Sequence, residues 1–224
     1  VSSASVVTIH GLIVVANGVL VYLFFVLMHE ATEQTGARDP LSWLVFLGSL
    51  GVSFVGLVAL ESSQVFGARS GNRILSLPYM IAVGMGLHNL GEGLAIGASY
   101  AGGEYTLSAL LVAGFGLHNG TEGFGIVGAA GKTPISWRDV ALLGLIAGLP
   151  TCVGTFLSGQ GVSSYFSICF YALAAGSLLY VVLSLTVMSY TATRRVQVSA
   201  GMFTGIAIMY LTAMILTLVS GVRS

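Results

Sequence analysis

Seven stretches of this chain each run for about twenty residues or more with almost no charge, and that pattern limits the fold more than any other feature. A bilayer core about 30 Å thick is crossed by about 20 apolar residues wound as an α-helix. Only 7% of the 224 residues are Asp, Glu, Lys or Arg, 55% are hydrophobic, and mean hydropathy is +0.94; an ordinary soluble domain carries roughly 25% charged residues. The expected fold is therefore all-α, a polytopic transmembrane helix bundle forming a single domain over 1–224. Spans are expected near 6–28, 41–60, 74–100, 105–130, 139–158, 164–190 and 199–221. The 31 glycines suit close-packed membrane helices, where small residues let backbones approach. Eight basic and eight acidic residues cancel, which leaves no basic face for nucleic acid. Cys152 and Cys169 fall in apolar runs and are expected as small buried hydrophobes rather than a disulfide.

Basic residues give an orientation. Arg69, Arg73, Lys132, Arg138, Arg194 and Arg195 lie in the loops after the second, fourth and sixth spans, against only Arg38 and Arg223 on the other side. Short loops rich in Lys and Arg stay cytoplasmic. Loops 61–73, 131–139 and 191–198 are therefore expected inside, the N-terminus of this chain inside and its C-terminus outside, in a multi-pass protein of the cell membrane. The opening run has neither a basic leader nor a small-residue cleavage site, so it is not expected to be an uncleaved signal peptide.

Most of the acidic residues sit where charge is cheap: Glu30, Glu33, Asp39, Glu104 and Asp139 at loops or helix ends, and Glu61 at the close of the second span. Glu92 and Glu122 do not. Each lies near the middle of its span, four residues after a histidine, in GLHNLGEG at 86–93 and GLHNGTEG at 116–123. Residues i and i+4 share one helix face, and a short loop near 101–105 makes the two spans antiparallel neighbours. Two imidazoles and two carboxylates, from His88, Glu92, His118 and Glu122, can therefore meet at one depth. That donor set suits Zn²⁺ and other divalent first-row ions, and soft Cu(I) is disfavoured because no thiolate joins it. Unpartnered carboxylates at the bilayer centre cost about 2.5–3.5 kcal/mol each, which a shared cation would offset. The competing reading for a single such residue is a hydrogen bond to a neighbouring helix.

Asn89 and Asn119 follow the two histidines and offer carbonyl oxygens to a neighbouring second position, or interhelical hydrogen bonds. Gly91, Gly93, Gly120 and Gly123 weaken both helices around the ligands and would allow a bend or bare carbonyls there. His29 and Glu33, again four apart, read as a solvated helix end that could meet an incoming cation; His10 reads as a packing residue. Pro78 falls near a helix start, where proline is tolerated, whereas Pro150 should kink its span.

The run His-Asn-x-x-Glu-Gly-Leu-Ala-Ile-Gly at 88–97, followed by His-x-x-x-Glu-Gly at 118–123, resembles the paired signature of the ZIP family of divalent metal transporters, on that family's fourth and fifth helices. FFVLMHEATE at 24–33, YALAAGSLLYVVLSL at 171–185 and MFTGIAIMYLTAMILTL at 202–218 are similar to parts of the second, seventh and eighth. The resemblance implies helices two to eight of an eight-helix bundle with the first absent, and it implies that the metal-carrying helices move against a scaffold. It also implies a primary site of His88, Glu92, His118 and Glu122. Two departures weaken a second metal position: Asn119 stands where the family usually has an acid, and Thr151, in GLPTCVG at 148–154, where it commonly has a glutamate.

The expected function is transport of Zn²⁺, or of Fe²⁺, Mn²⁺, Co²⁺ or Cd²⁺, into the cytoplasm as a substrate ion. The expected partners are divalent metal ions and the lipid bilayer, with a homodimer among the assemblies to consider. No phosphate-binding G-x-x-x-x-G-K-[ST] loop occurs, so transport would follow the ion gradient or couple to protons. The alternative is an intramembrane metal-dependent hydrolase, because two histidines and a carboxylate with one open position can also activate water.

Overall fold

A computed structural model describes residues 3–63, 76–131, 133–160 and 163–220. Each expected span becomes one continuous helix: α1 Ser3–Glu33, α2 Pro40–Ser62, α3 Ser76–Ala101, α4 Tyr105–Gly128, α5 Trp137–Ser158, α6 Ser164–Ala192 and α7 Arg195–Ser220. The described residues are 89% helical and contain no strand. Local chemistry sets several ends. Asp39 caps α2 by accepting from the Leu41 N–H at 3.1 Å, with Pro40 at the first helical position, where a missing N–H costs nothing. Ser136 caps α5 and Ser163 caps α6, each accepting from the N–H three residues on.

Among the described residues, five helices are long and apolar enough to cross a membrane: His10–Glu33 within α1, Pro40–Ser62, Trp137–Ser158, Ser164–Ala192, and Arg195–Ile215 within α7. The other two, α3 and α4, are of matching length at 26 and 24 residues. Their histidine, asparagine, glutamate and glycine content holds their hydropathy down. Large apolar side chains on α2 face outward, Leu44 and Val52 each 69% exposed, as does Phe203 on α7 at 71%. Such a continuous apolar exterior fits lipid rather than water.

At the centre stands α3, packed on α5, α6 and α4. Its contact with α5 is backbone to backbone, because a Cβ at Gly86, Gly93 or Gly97 would strike the carbonyl oxygens of Ile146, Thr151 or Thr155, and one at Gly154 that of Leu90. These contacts pair rising residue numbers on both helices, so α3 and α5 run parallel. A second close pair forms between α1 and α7, where Gly18 meets Met202 and Gly205 meets Val15. Leu20, Leu23, Met80, Ile81, Met85, Leu178, Val181 and Leu185 fill the core between the pairs.

Of the basic residues used for orientation, Arg69, Arg73, Lys132 and Arg223 lie outside the described residues. Arg138, Arg194 and Arg195 occupy the end of the bundle where α1, α3, α5 and α7 begin, the end at which the Tyr79 hydroxyl on α3 donates to Asp139 on α5 at 2.7 Å. The two cysteines are free, Cys152 exposed on α5 and Cys169 on α6 within 3.2 Å of the Ser49 hydroxyl.

Candidate metal centre

Three residues, Gly102 to Glu104, turn the chain from α3 into α4. Gly103 takes φ 80°, a left-handed conformation that glycine adopts without strain. The Gly102 N–H donates to Ala98 and the Glu104 N–H to Ser99, both at 2.9 Å, and the Ser108 hydroxyl reaches the Ile96 carbonyl across the two helices at 3.2 Å. So tight a turn makes α3 and α4 antiparallel neighbours and puts their two polar motifs opposite one another.

His88, Glu92, His118 and Glu122 converge there, each 5% exposed or less. His88 Nε2 lies 3.1 Å from Glu92 Oε1 and 3.4 Å from Glu122 Oε1; His118 Nε2 lies 2.5 Å from Glu92 Oε1. Donor atoms of His88, Glu92 and His118 all fall within 4.8 Å of one another. Tetrahedral bonds of about 2.0–2.1 Å place ligand atoms about 3.3–3.4 Å apart, so His88 already holds that spacing to both carboxylates. Glu92 and His118 are at hydrogen-bond distance and would open by about 0.8 Å to flank an ion.

Neighbouring side chains orient these groups. Phe115, one turn before His118 on α4, sets its ring edge-to-face on the imidazole with centroids 5.5 Å apart. The Asn119 amide donates to Glu92 Oε2 at 2.9 Å and fixes that carboxylate from the opposite helix. Of the two sequence readings for Asn119, a carbonyl ligand or an interhelical hydrogen bond, the structure displays the interhelical bond, made through its nitrogen. Asn89 turns to the other side of α3, where its amide donates to the Ala147 carbonyl of α5 at 2.9 Å. That carbonyl adjoins the one at Ile146, which Pro150 leaves without its intrahelical donor. Of the two sequence readings for Asn89, the structure displays the interhelical bond. Several buried polar atoms make no hydrogen bond of good geometry among the described residues: both nitrogens of His88, His118 Nδ1, Glu122 Oε1 and the side-chain oxygens of Asn89 and Asn119.

The bend or bare carbonyls that the motif glycines would allow do not occur: both helices are continuous there. Gly93 admits the α5 backbone, Gly91 lies against Ala174 and Tyr171 of α6, and Gly120 and Gly123 face open space. On α3 the glycines serve packing.

A cavity of about 490 Å³ opens onto the cluster, with His88, Glu92 and His118 among its lining residues. Its walls are largely apolar, from Leu23, Leu27, Leu107, Leu111 and Phe115, and it extends to Glu30, Ala98 and Ser99 at the end where α1 and α3 finish. On the opposite side the cluster is closed by Met85 and Leu185, which meet over Gly125. Besides Glu92, Glu30 also lines the cavity; His29 and Glu33 lie exposed on the same helix end, as a solvated end would. Sequence analysis missed Phe115 and Glu30. Phe115 carried a signal, since it precedes His118 by three residues and so shares its face; Glu30 carried none beyond its place in the chain.

In comparisons with known proteins, no protein-family model matches this chain and no curated protein matches its sequence.

Proposed function

We propose that this chain is a seven-span membrane protein that passes Zn²⁺, or another divalent first-row ion, across the bilayer as its substrate. The observation that carries this reading is the meeting of two imidazoles and two carboxylates from adjoining helices, buried, with several donor atoms lacking hydrogen bonds of good geometry. Low dielectric makes two neighbouring carboxylates costly unless a cation is shared between them. On this reading His88, Glu92, His118 and Glu122 bind the ion, Asn119 and Phe115 hold two of those ligands in place, and Asn89 braces α3 against α5.

The apolar cavity favours a second reading, because its walls would also receive the tail of an amphipathic substrate for a metal-dependent hydrolase. Uptake of radioactive Zn²⁺ into proteoliposomes separates the two. Flux in the parent chain that is lost in folded Glu92→Ala and His118→Ala supports transport. Zinc binding without flux refutes it and leaves the hydrolase as the better account.

A further inference from the structure

Asn17 belongs to none of the groups discussed so far. It sits in the middle of α1, is 0% exposed, and its amide donates to the Thr186 hydroxyl of α6 at 2.8 Å. Its carbonyl oxygen Oδ1 is buried with no hydrogen-bond partner among the described residues. A stranded acceptor is costly in low dielectric, and Asn17 shares this feature with Asn89 and Asn119 beside the His and Glu cluster.

Helix register places it in depth. Ile13, one turn earlier on the same face of α1, lies against Gly128 near the end of α4. From that contact, four residues carry Asn17 about 6 Å along α1 and six carry Glu122 about 9 Å along antiparallel α4. The two therefore differ in depth by only about 3 Å. Gly125 of α4, at nearly the same level, meets Leu185 and Met85. Thr186 follows Leu185 directly in the chain, so the Asn17–Thr186 pair lies at nearly the depth of the apolar Met85 and Leu185 layer.

Beyond that layer a second cavity, of about 440 Å³, is lined by His10, Gly11, Val14, Gln197 and Gly201, with the exposed Arg194 at its rim. Val14 is three residues from Asn17, and Ser189, buried on α6, lies one turn beyond Thr186 in the same direction. In order of depth come the first cavity with the His and Glu cluster at its base, the Asn17–Thr186 pair, and the second cavity.

Resting on the transport reading, we propose that Asn17 Oδ1, supported by the Thr186 hydroxyl, is the oxygen ligand that a divalent ion meets when it leaves the central cluster and crosses the closing layer toward the His10 cavity. A carbonyl oxygen is a neutral, hard donor. It can hold a partly dehydrated dication briefly without the retention that a carboxylate would impose.

The test uses the full chain. Zinc affinity and stoichiometry are measured on detergent-solubilised protein, and initial uptake of radioactive Zn²⁺ on proteoliposomes, for the parent, Asn17→Leu and Asn17→Asp. Leucine keeps the volume and removes the oxygen: affinity at the central site should stay within about twofold while initial uptake falls by about tenfold or more. Aspartate adds an anionic oxygen, so bound zinc should rise from about one to about two per chain and uptake should slow. Parental flux in Asn17→Leu would reduce Asn17 to a packing contact and overturn the proposal. An Asn17→Leu protein that has lost central binding reports a folding defect, and Asn17→Asp then decides: parental stoichiometry and flux refute the proposal. Absence of flux in the parent would instead bring down the transport reading, and this inference with it.

Discussion

Alanine in place of Gly93 should destabilise the protein, whereas alanine in place of Gly120 should not, although both glycines belong to the same repeated motif. An added Cβ at Gly93 collides with the Thr151 carbonyl oxygen and comes within 2.8 Å of the Thr155 nitrogen and 2.9 Å of the Thr151 carbonyl carbon. These are backbone atoms of a continuous helix, so no side chain can rotate away, and α3 and α5 must separate by about 1 Å. Overpacking of this kind costs about 1–3 kcal/mol, against a gain of about 1 kcal/mol from alanine's better helix propensity. At Gly120 nothing lies within 4 Å of the new atom, so only the gain remains. Gly93→Ala should therefore be about 2 kcal/mol less stable than Gly120→Ala in equilibrium unfolding in mixed micelles. Because α5 packs on little besides α3, it is α5 that yields, and zinc affinity in Gly93→Ala should stay within about threefold of the parent. Equal stability of the two variants would refute the backbone contact between α3 and α5.

Glu92→Gln should weaken zinc binding by about 10- to 150-fold in equilibrium dialysis, since it removes the carboxylate that faces both histidines and about 1.5–3 kcal/mol of charged interaction with it. Asn89→Ala should lower stability by about 1 kcal/mol through loss of the bond to Ala147; a fall in zinc affinity of tenfold or more would show instead that Asn89 ligates the ion. Zinc affinity should decline as pH drops below neutrality, because imidazole and carboxylate bind metal only without their protons; binding in weakly buffered solution should release protons that an indicator dye registers, and an affinity independent of pH would exclude these ligands.

The helices were legible in the sequence because twenty apolar residues admit few other folds in lipid, and the two His-Glu pairs because i,i+4 spacing fixes a shared face. Helix ends were legible to within a few residues; α1 ran past its expected end through Glu33 because its polar last turns are as helix-competent as the apolar ones before them. Less visible was the rotation of each helix about its own axis. Asn89 and Asn119 are chemically identical neighbours of identical histidines, yet one turns to α5 and the other to Glu92. That difference is set by which helix happens to lie alongside, a long-range fact that spacing does not encode. The motif glycines carried two readings in the sequence, close packing and a permitted bend, and only the α5 backbone at Gly93 decides for packing there.

The three-residue turn between α3 and α4 has a consequence for how this chain can change its length. Surface loops commonly absorb insertions without harm, but here the turn acts as a ruler. Its hydrogen bonds and the Ser108 link to Ile96 fix where α4 starts counting, and His118 lies fourteen residues after Glu104. One residue added after Ser108 would turn the remainder of α4 by about 100° and shift it about 1.5 Å, carrying His118 and Glu122 off the face that meets Glu92. The length of that segment is thus as much a part of the site as the four side chains themselves, whereas residues could be added between α6 and α7 without altering the spacing on which the site depends.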